Sequence, residues 1–291
     1  MSDPSASDPD VVHRRGVLFP ARLPTFTRVE PPARVAELVR WFWIPEWNLP
    51  AGRTSRQHVI SFPALNLVVE GGSVDLFGPT TRAGHRDLTG AGWAVGALLR
   101  PAAVPSFTDD PGALRDASVA VDAPELCEAV TRVMQGHGNE DRGVSDVDCA
   151  GSGDGEGWDR DERHGRAVNT FSDWFIDRVP QPDEEARLAN ALAELIDADP
   201  NVLQVGDMAA QLGVSTRSAQ RLCRRYVGLP PAAMIRRRRL QEAAETLRAD
   251  PGVDLADLAA DIGYADHAHL TRDFRSVLGF TPSAYRGRQS G

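Results

Sequence analysis

Two stretches near the end of the chain, Met208-Ala-Ala-Gln-Leu-Gly213 and Leu258-Ala-Ala-Asp-Ile-Gly263, repeat one pattern. After a short gap, each is followed by a second matching segment that ends in Gly-x-x-Pro, at Gly228–Pro231 and at Gly279–Pro282. The offset between the copies is 50 residues up to the first glycine and 51 residues after it, so the second copy has the longer turn. An internal repeat of this period indicates one structural unit that is used twice.

Each copy predicts two short helices around a tight turn. Apolar residues recur at the i, i+3, i+4, i+7 spacing of an amphipathic helix. A glycine that can adopt positive φ ends the first helix, and Ser215 or Asp266 is a suitable N-cap for the second. This is the pattern of a helix-turn-helix motif, so residues 201–291 are expected to form an all-α domain with two motifs. The first apolar stripes are Val205, Met208, Ala209 and Leu212, and Leu255, Leu258, Ala259 and Ile262.

The second helix of each motif carries a polar face that is suited to DNA. Arginine can bind guanine O6 and N7 in bidentate fashion, and glutamine can bind adenine N6 and N7. Solvated surface is the alternative role for any exposed arginine, but the position on a recognition helix favours DNA contact. In copy one the candidate DNA-binding residues are Thr216, Arg217, Ser218, Gln220, Arg221, Arg224 and Arg225. In copy two they are His267, Ala268, Thr271, Arg272 and Arg275.

A predicted connector helix, from Pro231 to about Arg248, joins the two motifs. It contains four consecutive arginines, Arg236–Arg239. They are expected to be either a further basic surface for DNA or simply solvated surface.

The repeat resembles the DNA-binding domain of the arabinose-regulator (AraC/XylS) family of transcription factors. The resemblance is carried by Leu258–Arg275 and Gly279–Arg286, and in copy one by Ser215–Leu222 with Gly228–Pro231. It implies a sequence-specific regulator of transcription, of activator type, that binds double-stranded DNA. RNA polymerase, a small-molecule effector and a second copy of the chain are candidate partners. Family members often have a hydrogen-bonding side chain where this sequence has Ala268, so copy two is expected to contact fewer bases.

Charge separates the chain into two parts. The 291 residues suggest two domains, and the net charge is −9. Residues 205–291 contain 13 arginines and nine acidic residues, a net +4, whereas residues 1–204 have a net charge of −13. This distribution is expected for a DNA-binding module attached to an acidic partner domain.

The first part of the chain predicts an α+β fold whose centre is a small β-barrel or sandwich. Short strands are expected at His58–Phe62, Leu65–Val69, Ser73–Phe77 and Gly92–Leu99, separated by glycine and proline turns. Residues 17–122 resemble the cupin-like effector domain of the same family, and Val95–Phe107 looks like the central segment of that domain.

Two further features of this part have expected structures. A helix is expected after Pro31-Pro32, because Val35, Leu38, Val39 and Phe42 have helical spacing. The aromatic residues Trp41, Phe42, Trp43 and Trp47 indicate an aromatic core, with a ligand cage as the alternative.

Residues 123–200 predict a helical linker. Helices are expected at 123–134, 166–179 and 184–198. Between the first two, Gln135–Gly165 contains eight glycines and nine acidic residues against three arginines, which predicts a flexible acidic insertion. The apolar faces of the linker helices are equally compatible with an intramolecular core and with a dimer interface.

Several functional classes are excluded at this stage. Cys127, Cys149 and Cys223 are too scattered for a disulfide framework or a zinc site, and the lone His58 and His85 do not form a metal-cupin motif. No cofactor and no catalytic constellation is expected. Residues 1–16 are polar, which predicts a flexible tail rather than a signal peptide, and no apolar run is long enough to span a membrane. We therefore expect a cytoplasmic protein.

Two alternatives to a ligand-controlled regulator stay open. One is a DNA-binding regulator that needs no ligand. The other is a small-molecule-binding or enzymatic cupin with a secondary DNA-binding domain.

Overall fold

The computed structural model describes residues 25–59, 63–136 and 158–289. Its first part is rich in strands and its last part is helical, which confirms the predicted α+β organisation. The strands are β1 (Thr25–Val29), β2 (Val39–Asn48), β3 (Thr54–Val59), β4 (Asn66–Glu70), β5 (Ser73–Phe77), β6 (Gly84–Thr89), β7 (Ala91–Leu99) and β8 (Ser118–Ala120).

The strands form two antiparallel sheets. Six of them pair in the order β1-β2-β7-β4-β5-β8, and β3 pairs with β6 in a separate two-stranded ladder. The central strands β4 and β7 have nearly continuous buried positions, as expected for strands that are covered on both faces. A 3-10 turn at Pro101–Ser106 follows β7 and leads away from the sheet.

The predicted helix after Pro31-Pro32 is wrong. Only a 3-10 turn, Ala33–Val35, forms there, and the chain continues as the ten-residue strand β2. The helical spacing of Val35 to Phe42 is coincidental, because β-branched and aromatic residues that pair on both edges favour a strand. Phe42 enters the main core, while Trp41 packs with Leu98 in a small separate cluster. Trp43 packs against that cluster, whereas Trp47 is half-buried and its Nε1 donates to Thr89 O at 3.2 Å. Three of the four aromatic residues therefore pack in cores, as the first alternative expected.

Three helices follow the strands: α1 (Pro124–Met134), α2 (Arg160–Arg178) and α3 (Glu184–Ala198). The apolar faces of α1 and α2 lie in the same core as the sheet, through Leu126, Val130, Phe171 and Phe175. Helix α3 instead contributes Ala189 and Leu192 to the core of the first helix-turn-helix motif. Because the apolar positions of α1, α2 and α3 named above are buried within one chain, the structure favours an intramolecular core over a dimer interface for them.

The flexible insertion was predicted too long. Helix α2 begins at Arg160, and Asp159 caps it by accepting a hydrogen bond from Glu162 N at 2.8 Å. His164 is buried, and its Nε2 lies 2.7 Å from Glu46 Oε1 on β2. The prediction was wrong for residues 158–165, because the glycine-rich composition masked a capped helix start. Residues 137–157 and the predicted tail 1–16 lie outside the described residues.

The last part of the chain has the predicted double helix-turn-helix. Its helices are α4 (Val205–Gln211), α5 (Thr216–Tyr226), α6 (Pro231–Ala249), α7 (Leu255–Asp261), α8 (His267–Leu278) and α9 (Pro282–Gln289). Gly213 and Gly263, at the two turns, have φ of 65° and 74°. Each motif has its own core: α5 packs with α3 and α4, and α8 packs with α7, α9 and the end of α6.

Helix α3 connects the two parts of the molecule. The Asn190 side chain bridges backbone groups of the strand-rich part, since Oδ1 accepts from Ala102 N at 2.9 Å and Nδ2 donates to Glu37 O at 2.8 Å. An ion pair joins Arg40 on β2 to Asp197. Any movement of the strand-rich part relative to the first motif must therefore disturb α3.

Candidate nucleic-acid interface

Helix α5 has a strongly two-sided surface. Ala219, Leu222, Cys223 and Tyr226 are buried. The candidate residues on the other side are exposed, with the exception of Ser218, whose backbone N donates to Ser215 Oγ at 3.0 Å in the N-cap. The exposed candidates are Thr216, Arg217, Gln220, Arg221, Arg224 and Arg225.

The exposed groups of α5 differ in what holds them. Within the described part of the chain, Arg217, Gln220 and Arg224 have no side-chain hydrogen bond or ion pair. Arg221 and Arg225 both contact Glu185 of α3. Helix α5 thus presents a polar face that contains four arginines and has one carboxylate at its flank.

Helix α8 presents a weaker face. His267, Ala268, Arg272 and Arg275 are exposed, whereas Thr271 is half-buried. Asp266 caps the helix by accepting from His269 N at 2.7 Å, and this contact helps to hold the pKa of Asp266 below its ordinary value. A carboxylate therefore lies at the end of α8 that a recognition helix directs towards bases.

Sequence reasoning missed His269. Its ring is exposed in the first turn of α8, 5.0 Å from the Tyr264 ring in an edge arrangement, with Nε2 4.0 Å from Asp273 Oδ2. A helical projection centred on the buried Leu270 and Phe274 would have placed it on the outward side. Its ring lies beside the face of Ala268, since consecutive residues of a helix are about 100° apart around the axis.

The four arginines of α6 do not form a basic surface. Arg237 and Arg238 are each 3% exposed. Arg238 Nη2 donates to Val202 O at 2.8 Å, and Arg239 Nε donates to Ile262 O with its guanidinium 4.1 Å above the Tyr264 ring. Only Arg236 is exposed among the four. Arg237 and Arg238 therefore form neither a basic surface for DNA nor a solvated surface, which were the two alternatives expected. A guanidinium can occupy an interior position when it is hydrogen-bonded.

Arg237 joins α6 to the strand-rich part of the chain. Its guanidinium donates to Thr80 O between β5 and β6. Burial lowers the pKa of Arg237 to about 10, although the charge of Asp116 acts in the opposite direction. This contact is a costly buried charge that ties the connector helix to the other domain.

A loop of the strand-rich part lies against the C-terminal end of α5. Its backbone at Pro111–Gly112 is so close to Gly228 that an added Cβ would be 2.5 Å from Pro111 O. Beside this contact is an open cleft of about 660 Å³, lined by Asp110 and Arg115 on one wall and by Gln220 and Arg224 on the other. The N-terminal part of the molecule thus reaches the edge of the candidate DNA-binding face.

A second and smaller cavity also lies between the two parts of the molecule. It has a volume of about 40 Å³ and lies between Leu99, Asn190 and Met234. It holds a few water molecules at most, and small-molecule sites are commonly about 300–1,000 Å³.

Three observations concern other functional classes. No group of three His, Cys, Asp or Glu side chains within the described ranges is arranged to hold a metal ion. Within the same ranges, no helix has the length and apolar character needed to cross a membrane. Burial raises the pKa of the Cys223 thiol to about 12, so that this cysteine is a core residue and not a reactive thiolate.

Comparisons with known proteins agree with this geometry. A family model described as a helix-turn-helix domain matches residues 208–288, and one described as a domain of unknown function matches residues 27–119. The chain is 33% identical over 91 residues to the transcriptional activator AarP of Providencia stuartii, covering 31% of this chain and 67% of that protein. It is 28% identical over 125 residues to the regulatory protein SoxS of Salmonella typhimurium, covering 43% of this chain and 97% of that one.

Other regulators are matched over less of their length, and the chain spans 34% and 43% of two of them. A crystal structure of ToxT from Vibrio cholerae is similar at a TM-score of 0.41 and 10% identity, covering 84% of this chain and 97% of that chain. A likeness at that level gives no residue-by-residue correspondence.

Proposed function

Because the chain belongs to the AraC-type family of helix-turn-helix transcription regulators, we propose that it binds a specific double-stranded DNA operator through α5 and α8. The observation that supports this proposal most strongly is the exposed face of α5. Within the described residues, the side chains of Arg217, Gln220 and Arg224 on this face have no hydrogen-bond or ion-pair partner. Unpaired arginine and glutamine side chains on a recognition helix are the groups that contact base edges in the major groove. A DNA target of this kind implies action in the cytoplasm.

The spacing of the two motifs supports binding along one side of a duplex. Helix α6 has 19 residues, and at about 1.5 Å per residue it is about 28 Å long. Successive major-groove faces are about 34 Å apart. With one motif packed at each end of α6, both recognition helices can enter adjacent grooves, so one subunit is expected to protect an asymmetric site of about two helical turns.

The two motifs are expected to contribute unequally. Helix α5 offers Arg217, Gln220 and Arg221 for base contacts. At the corresponding positions α8 offers Ala268, the half-buried Thr271 and Arg272, and it carries the Asp266 carboxylate in its cap. Base discrimination should therefore come mainly from α5.

The experiment begins with an operator selected from random duplexes by the full-length protein. Arg221→Ala should weaken binding to it by about 1–3 kcal/mol and relax the preference at one base pair. Arg132→Ala is the matched control, because Arg132 is exposed on α1, far along the chain from the motifs, and its loss changes the net charge equally. Wild-type affinity and base preference in Arg221→Ala would refute the assignment.

Control of DNA binding by the N-terminal part is the second element of the proposal. It is supported by the contacts of α3 with both domains and by the loop at Pro111–Gly112 against α5. A small-molecule effector would act by changing these contacts. A thermal-shift screen of the full chain, followed by operator binding with each hit, tests it: hits that alter stability but not operator affinity would contradict effector control.

The regulatory role is proposed in place of catalysis, since the named relatives are transcription regulators. RNA polymerase and a second copy of the chain are the protein partners that go with this role. Transcription from the selected operator with purified polymerase tests the first, and sedimentation with and without operator tests the second.

A further inference from the structure

A carboxylate outside both helix-turn-helix motifs contacts the recognition helix α5. Glu185, in the first turn of α3, accepts from Arg221 Nη2 at 3.3 Å through Oε1. Its other oxygen, Oε2, accepts from Arg225 Nη1 at 2.7 Å and from the Tyr226 hydroxyl at 3.4 Å. One side chain of the linker helix therefore holds two guanidinium groups that lie one helical turn apart on α5.

The contact leaves Arg221 available to a ligand. A guanidinium has five N–H donors, and Glu185 engages one nitrogen of Arg221 through a long hydrogen bond. The Arg221 side chain is 62% exposed. Glu185 therefore restricts where the guanidinium points without covering it, whereas a masking carboxylate would bind both terminal nitrogens.

Glu185 itself is held in place. Asp183 caps α3 by accepting from Ala186 N at 2.8 Å, and Ala186 and Ala189 on the same helix are buried in the core that includes α5. Asn190, one turn further on, is bonded to two backbone groups of the strand-rich part. The position of the Glu185 carboxylate is consequently fixed by α3, and this carboxylate orients the arginines of α5 that contact it.

We propose that Glu185 is a positioning residue for base recognition: it contacts Arg225 closely and Arg221 through a longer hydrogen bond, and it thereby holds Arg221 in the orientation in which α5 discriminates between base pairs. This inference rests on the proposed function of α5. It adds a specificity residue from the linker helix, and it gives the N-terminal part of the chain a physical connection to the group that contacts bases. An arginine that is oriented before binding loses less side-chain freedom for each hydrogen bond that it forms.

The test compares Glu185→Gln with Glu184→Gln in the full-length protein. Glu184 is the neighbouring residue of the same helix turn, is exposed, and carries the same charge. Both variants remove one negative charge near DNA and should raise affinity for all sequences similarly. The decisive measurement is the ratio of operator affinity to the affinity for an operator changed at the base pair that Arg221→Ala identifies.

A bidentate arginine contact discriminates by about 5- to 150-fold, and loosening it should remove part of that. We expect Glu185→Gln to lower the ratio by about 3- to 10-fold and Glu184→Gln to leave it within about twofold. In the Arg221→Ala background, Glu185→Gln should cause no further loss of the ratio, because coupled residues are not additive.

Three results would overturn the inference: an unchanged ratio in Glu185→Gln, equal changes in both glutamine variants, or additive losses in the double variant. Glu185→Asp keeps the charge but is too short to reach both arginines, and it should also lose discrimination, so the test does not depend on one variant being soluble. If Arg221→Ala itself keeps the wild-type ratio, the proposed role of Arg221 fails instead, which separates that failure from failure of the positioning role.

Discussion

The substitution Gly228→Ala tests whether the Pro111–Gly112 loop of the strand-rich part packs against the end of α5. Gly228 follows the first recognition helix and has φ of 80°. An added Cβ would lie 2.5 Å from Pro111 C and O and 2.8 Å from Gly112 N, which are backbone atoms that cannot rotate away. The substitution must therefore displace the loop or the end of α5.

The second motif supplies a matched control. Gly279 occupies the corresponding position after α8 and also has φ of 80°, but the nearest atom to an added Cβ is Ala83 Cβ at 3.6 Å, an ordinary contact. Both variants incur the cost of a left-handed alanine, about 1–2 kcal/mol, partly offset by the about 0.4–1 kcal/mol that alanine removes from the entropy of the unfolded chain. Because these contributions are the same in both variants, they cancel when the unfolding free energies of the two variants are compared.

What remains is the cost of forcing atoms into a packed interface, about 1–3 kcal/mol. We therefore expect Gly279→Ala to lower the free energy of unfolding by about 1 kcal/mol. Gly228→Ala should lower it by about 2–4 kcal/mol. Urea unfolding of the full-length variants, followed by far-ultraviolet circular dichroism, measures both. Equal losses would show that the loop does not rest on α5.

Three further predictions concern stability. Deleting residues 138–157 and joining the ends with a short Gly/Ser linker should leave the melting temperature within a few degrees of the parent. Deleting residues 138–165 should lower the melting temperature by much more, because it removes the start of α2 and the His164–Glu46 contact. Equal effects of the two deletions would contradict this. Burial raises the pKa of Glu46, but the hydrogen bond from His164 and the charge of Arg163 outweigh it and lower the pKa below its ordinary value of 4.5. The stability that Glu46 contributes is therefore present above pH 4.5 and is lost as the pH falls through the lowered pKa of the folded state. The melting curves of Glu46→Gln and the parent should differ at pH 7 and converge only at pH values below that lowered pKa. Arg237→Met should change the unfolding free energy by less than about 2 kcal/mol, because the loss of charged hydrogen bonds is offset by removal of the buried charge. Arg237→Ala should lower the unfolding free energy by about 2–4 kcal/mol, because it leaves a cavity. Equal losses for the two variants in urea unfolding would contradict this.

The helical part of the molecule was predictable because its determinants are local. Apolar spacing, the caps Ser215 and Asp266, and the glycines of the turns all lie within a few residues of the helix ends that they specify. Helix α3 and the connector α6 begin and end close to the predicted residues for the same reason.

The strand-rich part was predicted less well because strand pairing is not local. The helical spacing within Val35–Phe42 is satisfied in the sequence, yet β2 forms because it pairs with β1 on one edge and with β7, about 50 residues away, on the other. The start of α2 was missed since its buried residue, His164, is polar and is stabilised by Glu46, 118 residues earlier.

The site was predictable as a surface but not in its contacts. The outward positions of α5 follow from helical periodicity alone. That Glu185 holds Arg221, and that Arg237 is buried against Thr80, depends on how separate elements meet, over separations of 36 and 157 residues. The same limit applies to Arg236–Arg239, whose charges suggested a surface that packing places largely inside.

A comparison of the two halves of the operator tests most directly whether the protein discriminates between operator sequences mainly through α5. Full-length protein is titrated against the selected operator and against two versions in which the bases under α5 or under α8 are scrambled. The half under α5 is identified as the half that contains the base pair at which Arg221→Ala relaxes the preference. We expect that scrambling the α5 half reduces binding to the non-specific level and that scrambling the α8 half reduces the affinity less. Equal losses, or a greater loss at the α8 half, would contradict it.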